Sequence, residues 1–342
     1  MKNISVTIIG LGRVGTSVGL ALKRYNSQPD AQHQFEIYGV ESRPDMLRDA
    51  ESAGAIDKSV RNLHDAVQNR DIVVLAQPYA EVRPSFQAIG ESARVGTVVL
   101  DASPLKLPSL EWAKQYFKDG VHLVGIQPII NPNYLFDSLD EARHAKVDLF
   151  DKGSILLMPA ANCIPEAIEL AADFATLLGA RTHYFDAAEH DSLAAASDTL
   201  PTLIGVTLFD ALSRIPGWGD IQRITNPRFG RLTHMLFDTH PDDLRDEWMR
   251  NRESLLRYTD ILLDELHEVR KALASNNQDG VEALLTRSSE QYSQWINRRH
   301  NNTWDEDLKT PSASAGSSIL SNLMGGFVAN RLTGGDKKKK GD

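Results

Sequence analysis

The chain has 342 residues, 42% hydrophobic and 24% charged, an ordinary globular composition with length enough for two domains. No uninterrupted apolar run approaches the ~20 residues that span a bilayer, and 37 Lys and Arg against 46 Asp and Glu leave a formal net charge of -9, which speaks against membrane and nucleic-acid partners. One cysteine, Cys163, excludes an internal disulfide and a cysteine-rich zinc site, and the start lacks a signal-peptide layout, so a cytoplasmic protein is expected.

Short β-rich apolar runs at 4–9, 35–40, 71–76, 97–100 and 121–125 alternate with helical patterns at 14–24, 44–53, 82–89 and 107–117. That alternation predicts right-handed βαβ units in an α/β fold, a Rossmann-type doubly wound parallel sheet with both faces covered. The run at 154–158 is expected to extend the sheet. Beyond 164 the strand signal almost vanishes except at 181–185, and helical patterns at 165–178, 189–212, 245–273 and 280–298 take over. The chain is therefore divided into a sheet domain over 1–160, a mostly helical domain over 161–300 and a flexible tail over 301–342. The helical domain carries more apolar positions than a thin layer can bury, which suggests a homodimer. In the tail, Ile319, Leu320, Leu323, Met324, Phe327 and Val328 fall at helical spacing.

Gly10-Leu-Gly12-Arg13-Val14-Gly15 follows the first predicted strand and opens a predicted helix, the context in which a GxGxxG pattern marks dinucleotide binding. Gly10 serves the tight turn, Gly12 lets a pyrophosphate approach the backbone, and Gly15 lets helix and strand pack closely, while helix amides face the phosphate charge. Glu41 ends the second strand, where a carboxylate holds the ribose hydroxyls and repels a 2′-phosphate, so NAD is favoured over NADP. Arg43, two residues on, is the feature that would suit NADP instead.

These motifs, together with Gly54-Ala-Ile-Asp57, Asp101-Ala-Ser-Pro-Leu-Lys106, Glu189-His-Asp191 and Leu200-Pro201, resemble the prephenate/arogenate dehydrogenase family from residue 3 to about 270. The resemblance implies a Rossmann domain followed by a helical dimerisation domain. It also implies an NAD(P)-dependent oxidoreductase of the tyrosine-biosynthesis type, in which a cyclohexadienol gives up hydride and carbon dioxide as its ring becomes aromatic. Such chemistry needs an acceptor for the hydroxyl proton, cations or donors for the carboxylates, and a dry slot beside the nicotinamide.

The departures from the family pattern fall on that chemistry. Where the family has Gly-x-His-Pro, the chain reads Gly125-Ile-Gln127-Pro128, and Gln127 hydrogen-bonds but takes no proton near neutral pH. The family's Ser-His-Leu-Pro-His aligns with Asp198-Thr199-Leu200-Pro201-Thr202, so Thr199 and Thr202 replace two histidines. Its carboxylate-gripping arginine falls at His234, with Arg231 one turn earlier as a substitute, whereas Asn251 matches. Lys106, after the fifth strand, is the remaining candidate cation for a carboxylate-bearing small molecule.

His122 and His190 are read as local hydrogen-bonding residues, Asn131 and Asn133 as turn formers, and Cys163 as inert packing. No His, Asp and Glu set has metal-ligand spacing. Two other functions fit the intact glycines with altered histidines: a dinucleotide-binding sensor without turnover, and a ketone or imine reductase on the same plan.

Overall fold

The computed structural model of the chain describes residues 2–137 and 140–301. The tail expected over 301–342 lies outside the described residues, apart from Asn301. Among the described residues eight strands, β1 (Lys2–Ile9), β2 (His33–Val40), β3 (Lys58–Ser59), β4 (Ile72–Leu75), β5 (Val98–Asp101), β6 (His122–Ile129), β7 (Ser154–Pro159) and β8 (Arg181–Tyr184), form one sheet in the order β3-β2-β1-β4-β5-β6-β7-β8. The order reverses between β1 and β4, the switch point at which doubly wound sheets bind ligands.

β4 and β5 are buried at every position, so they read as continuous apolar runs without alternation. On one face α1 (Arg13–Asn26) and α6 (Pro165–Leu177) supply Val18, Leu22 and Phe174 to a core with Val6, Ile37 and Leu100. The other face is covered by α4 (Tyr79–Ser92) and α5 (Lys106–Tyr116), whose Phe86 and Trp112 pack edge to face at 5.8 Å between ring centroids. The short α2 (Pro44–Ser52) and α3 (Leu63–Val67) complete the crossovers; α2 has Pro44 at its start and α3 is capped by Asn62, whose side chain accepts from His64 and Asp65 amides.

Two expectations are corrected. The run at 154–158 does extend the sheet, but β7 is antiparallel to β6, because the described residues of 130–153 return without a crossover helix. The sheet domain also runs past 160: α6 carries the chain back to β8, which pairs parallel with β7, so the sheet ends at Tyr184. That edge strand is short and half-exposed, which is why its sequence signal is weak.

The helical part comprises α7 (Ala187–Ala194), a π-helical turn (Ala195–Thr199), α8 (Leu200–Ser213), α9 (Trp218–Ile221), α10 (Pro227–Thr233), α11 (Met235–Asp238), α12 (Pro241–Arg250), α13 (Arg252–Ala274) and α14 (Gln278–Asn301). The helix expected across 245–273 is broken at Asn251. Pro201 has no amide to donate back to Ser197, and the wider π-turn just before it accommodates the lost bond. By length and composition alone the run Ala187–Ser213 could cross a membrane, yet α10 and α11 pack on it at Gly205, where an added Cβ would strike the Leu232 carbonyl. Only 22% of its apolar window is buried within the described chain.

Candidate functional site

The glycine loop lies at the switch point. Gly10 has φ +91°, and its amide donates to the Val40 carbonyl at 2.9 Å; an added Cβ would collide with the Ala76 carbonyl at the end of β4. A Cβ on Gly15 would collide with the carbonyl of Gly10. Gly12 is different: among the described residues its Cβ would meet only the Asp140 carbonyl oxygen, at 3.1 Å, so of the three glycines it leaves the most room for a ligand. The Leu11 amide donates to the Glu41 carboxylate at 2.8 Å, and the other Glu41 oxygen accepts from the Arg43 amide at 2.9 Å. Glu41 is thus fixed beside the loop. Arg43 points its guanidinium at Asp45, 3.2 Å away.

Arg13 and Val14 are used differently from the glycines. Val14 packs against the core, and the Arg13 guanidinium, almost fully buried, bonds the Asp137 carbonyl and carboxylate at 3.2 Å and lies over the Tyr134 ring. The Arg13 amide donates to the Asp140 carbonyl at 2.7 Å, so the connection between β6 and β7 rests on the first turn of α1.

At the carboxyl edge, Asp101 is fully buried and accepts from the Ser103 amide at 3.1 Å and hydroxyl at 2.7 Å. Lys106, read from sequence as a cation for the substrate, is only 1% exposed; its ammonium donates to the carbonyls of Asp101 and Ser103. Burial pulls its pKa down, opposed by Asp101 and Asp191. The ammonium therefore locks the turn after β5 and does not reach outward. Gln127 lies further along the carboxyl end of β6, on the same face as Gly125, against which the Lys106 stem packs. It is half-buried, and its side-chain amide makes no hydrogen bond among the described residues.

The helical domain docks through two aspartates that cap helices of the sheet domain. Asp191 accepts from the Lys106 and Leu107 amides at 2.7 and 2.8 Å, satisfying the start of α5, and its carbonyl accepts from the Asn251 side chain at 2.6 Å. Asp243 accepts from the Ala80 amide at 2.7 Å at the start of α4. His190, Nδ1 2.9 Å from Asp191, has the local role expected of it. Asn131 also behaves as a turn former, accepting from the Asn133 amide, and the Cys163 thiol, pushed up to about 11 by burial, donates to the Leu123 carbonyl.

Thr199 is buried at the end of the π-turn, and the Thr202 hydroxyl donates to the Thr199 carbonyl at 2.6 Å. Thr202 lies one turn before Gly205, the point where α10 approaches α8. Arg231 is exposed on α10, and His234, which follows that helix, is half-buried. Gln127 and Lys106 stand on the sheet side, and Asp191 joins the halves.

Three groups here are illegible in the sequence. The Tyr79 hydroxyl at the start of α4 is buried without a partner among the described residues, the guanidinium of Arg299 is buried against the carbonyl of Ile130, and Glu247 on α12 is half-buried. Burial, then the charges of Asp243 and Asp198, raises Glu247 from 4.5 to about 7. The fold therefore favours the protonated carboxyl, and stability from this group is full below about pH 4.5 and lost as pH rises through about 7. Glu247→Gln is expected to raise the melting temperature at pH 8 and to leave it unchanged at pH 4, as calorimetry at both values would show.

A family model described as the prephenate dehydrogenase nucleotide-binding domain matches residues 18–184, the described sheet domain from the middle of α1 to the end of β8. The cyclohexadienyl dehydrogenase of Zymomonas mobilis is 25% identical over 281 residues, covering 80% of this chain and 90% of that relative. The prephenate dehydrogenase of Lactococcus lactis is 27% identical over 206 residues, 59% of this chain and 52% of the relative. Among solved structures, prephenate dehydrogenase from A. aeolicus in complex with hydroxyphenyl propionate and NAD+ superposes with a TM-score of 0.66 at 18% identity, covering 86% of this chain and 98% of that one. The matching nucleotide-binding domain and a cyclohexadienyl dehydrogenase relative covered over 90% of its length together indicate the prephenate/arogenate dehydrogenase family.

Proposed function

We propose that the protein is an NAD-dependent dehydrogenase acting in the cytoplasm on a small, carboxylate-bearing cyclohexadienol, with prephenate itself turned over slowly. The observation that carries the reading is the pairing of Gly12, the least crowded glycine of the loop among the described residues, with a Glu41 carboxylate fixed beside the loop. Gly10, Gly12 and Gly15 fit a pyrophosphate, Glu41 fits the ribose hydroxyls, and the Arg43 guanidinium, held by Asp45, leaves NAD preferred over NADP. The bound dinucleotide would supply the hydride acceptor. In a calorimetric titration NAD should bind at least tenfold tighter than NADP; the reverse order would shift the second role from Glu41 to Arg43.

The chain's own residues then orient the substrate. The uncommitted amide of Gln127 can hold the substrate hydroxyl without removing its proton, and Thr199 and Thr202 offer short hydroxyl-bearing side chains where imidazoles would reach farther. Arg231 and, when protonated, His234 offer charge to a carboxylate from the helical side. Lys106 supports the site from beneath by fixing the Asp101–Ser103 turn. A sensor that binds dinucleotide without turnover is the second reading, favoured by the same neutral amide at Gln127.

The protein is expected to work as a homodimer joined through the helical domain. In the single chain Leu232 and Leu236 are exposed on α10 and α11, and Leu256, Ile261, Leu266 and Leu273 on α13. Light scattering at micromolar concentration should give twice the monomer mass, and a monomer would remove this part of the proposal.

A further inference from the structure

Arg299 lies near the end of α14, far in sequence from every motif considered above, yet it is 7% exposed and donates to the carbonyl of Ile130, the residue that follows β6. Ile130 is three positions beyond Gln127, so α14 delivers a guanidinium to the carboxyl edge of the sheet, where open α/β sheets bind their ligands. Among the described residues no carboxylate pairs with Arg299. Its pKa is lowered by burial alone, with no acid pulling the other way. The nearby polar groups are engaged elsewhere. The Asn131 amide group donates to the Asp148 carbonyl, the Tyr134 hydroxyl donates to the Asp148 carboxylate, and His300 Nδ1 faces the Ile296 carbonyl of its own helix.

A guanidinium carries five N–H donors and keeps its charge, and a buried charge without a counter-ion costs several kcal/mol. One backbone carbonyl offsets part of that cost and fixes the plane of the fork. A carboxylate from outside the chain would supply the rest through two parallel N–H···O bonds, a geometry that lysine cannot reproduce. We infer that Arg299 is a substrate-binding residue of this enzyme, the cation that receives a substrate carboxylate at the loop after β6. The assignment rests on the dehydrogenase reading given above and adds to it a specificity residue delivered by the last helix.

The test is calorimetry on the full chain saturated with NAD, titrated with 4-hydroxyphenylpropionate and with its neutral amide. Wild type should bind the acid more tightly than the amide. Arg299→Gln should weaken the acid at least tenfold and the amide less than twofold, with unchanged NAD affinity and a melting temperature at or above that of wild type. Arg299→Lys, which keeps the charge and loses the fork, should fall between. Several results would overturn the assignment alone: no preference for the acid in wild type, equal losses for acid and amide, or weakened NAD binding, which would make the anion a cofactor phosphate. A melting temperature lowered in both variants would make the arginine structural. Failure of wild type to bind NAD at all would instead overturn the dehydrogenase reading.

Discussion

Replacing Gly12 by valine is expected to weaken NAD binding by at least about 100-fold, ~2.7 kcal/mol, while leaving the melting temperature within a few degrees of wild type. The three glycines of the loop are not equivalent. At Gly10 the left-handed φ and the Ala76 carbonyl, and at Gly15 the Gly10 carbonyl, forbid a side chain on folding grounds. Gly12 caps α1 with φ −67° and ψ −167°, extended backbone that any residue adopts, and among the described residues its Cβ direction meets only the Asp140 carbonyl. Valine there fills the space a pyrophosphate needs and, among the described residues, crowds only the Asp140 carbonyl of the β6–β7 connection, a loop contact that can give by a few tenths of an ångström. Gly15→Val, by contrast, should lose the fold as well as the ligand. Calorimetry paired with thermal melting separates the two outcomes, and a Gly12 variant that still binds NAD would move the dinucleotide off this loop.

Changing Gln127 to histidine is expected to raise kcat for prephenate by about 100-fold, within the ~10²–10⁴ that a positioned base contributes. The position suits the exchange. Gln127 is half-buried at the carboxyl end of β6, its amide is uncommitted among the described residues, and its backbone is held in register opposite Leu156. An imidazole there can take the hydroxyl proton that the amide only orients. KM for prephenate and affinity for NAD should change little, because the new group acts on the reacting hydroxyl. Steady-state rates at saturating NAD measure both quantities.

The glycine loop and Glu41 were legible in the sequence because their signal is local: a β-rich run, a spaced set of glycines, a helix and an acid at the next strand end. The buried strands were legible for the same reason; the edge strand β8 showed only as an isolated signal at 181–185, short and half-exposed, with nothing local to join it to the sheet. Lys106 shows the limit of reading a residue type at a position. Its place after β5 was right, but nothing local reveals that its ammonium turns inward onto two carbonyls. The docking aspartates are further beyond reach: Asp191 caps a helix 85 residues earlier and Asp243 one 163 residues earlier, pairings that only the packed fold creates. Arg299 belongs to the same class, 169 residues from the carbonyl it meets.

The most direct measurement is NADH formation by the wild-type protein with NAD and either prephenate or arogenate, followed alongside the Gln127→His variant. Slow, strictly NAD-dependent turnover, well below the ~10 s⁻¹ of a typical enzyme and raised by the histidine, is the expected result. Turnover at ~10 s⁻¹ or more that is indifferent to Gln127 would contradict it and place the catalytic centre elsewhere.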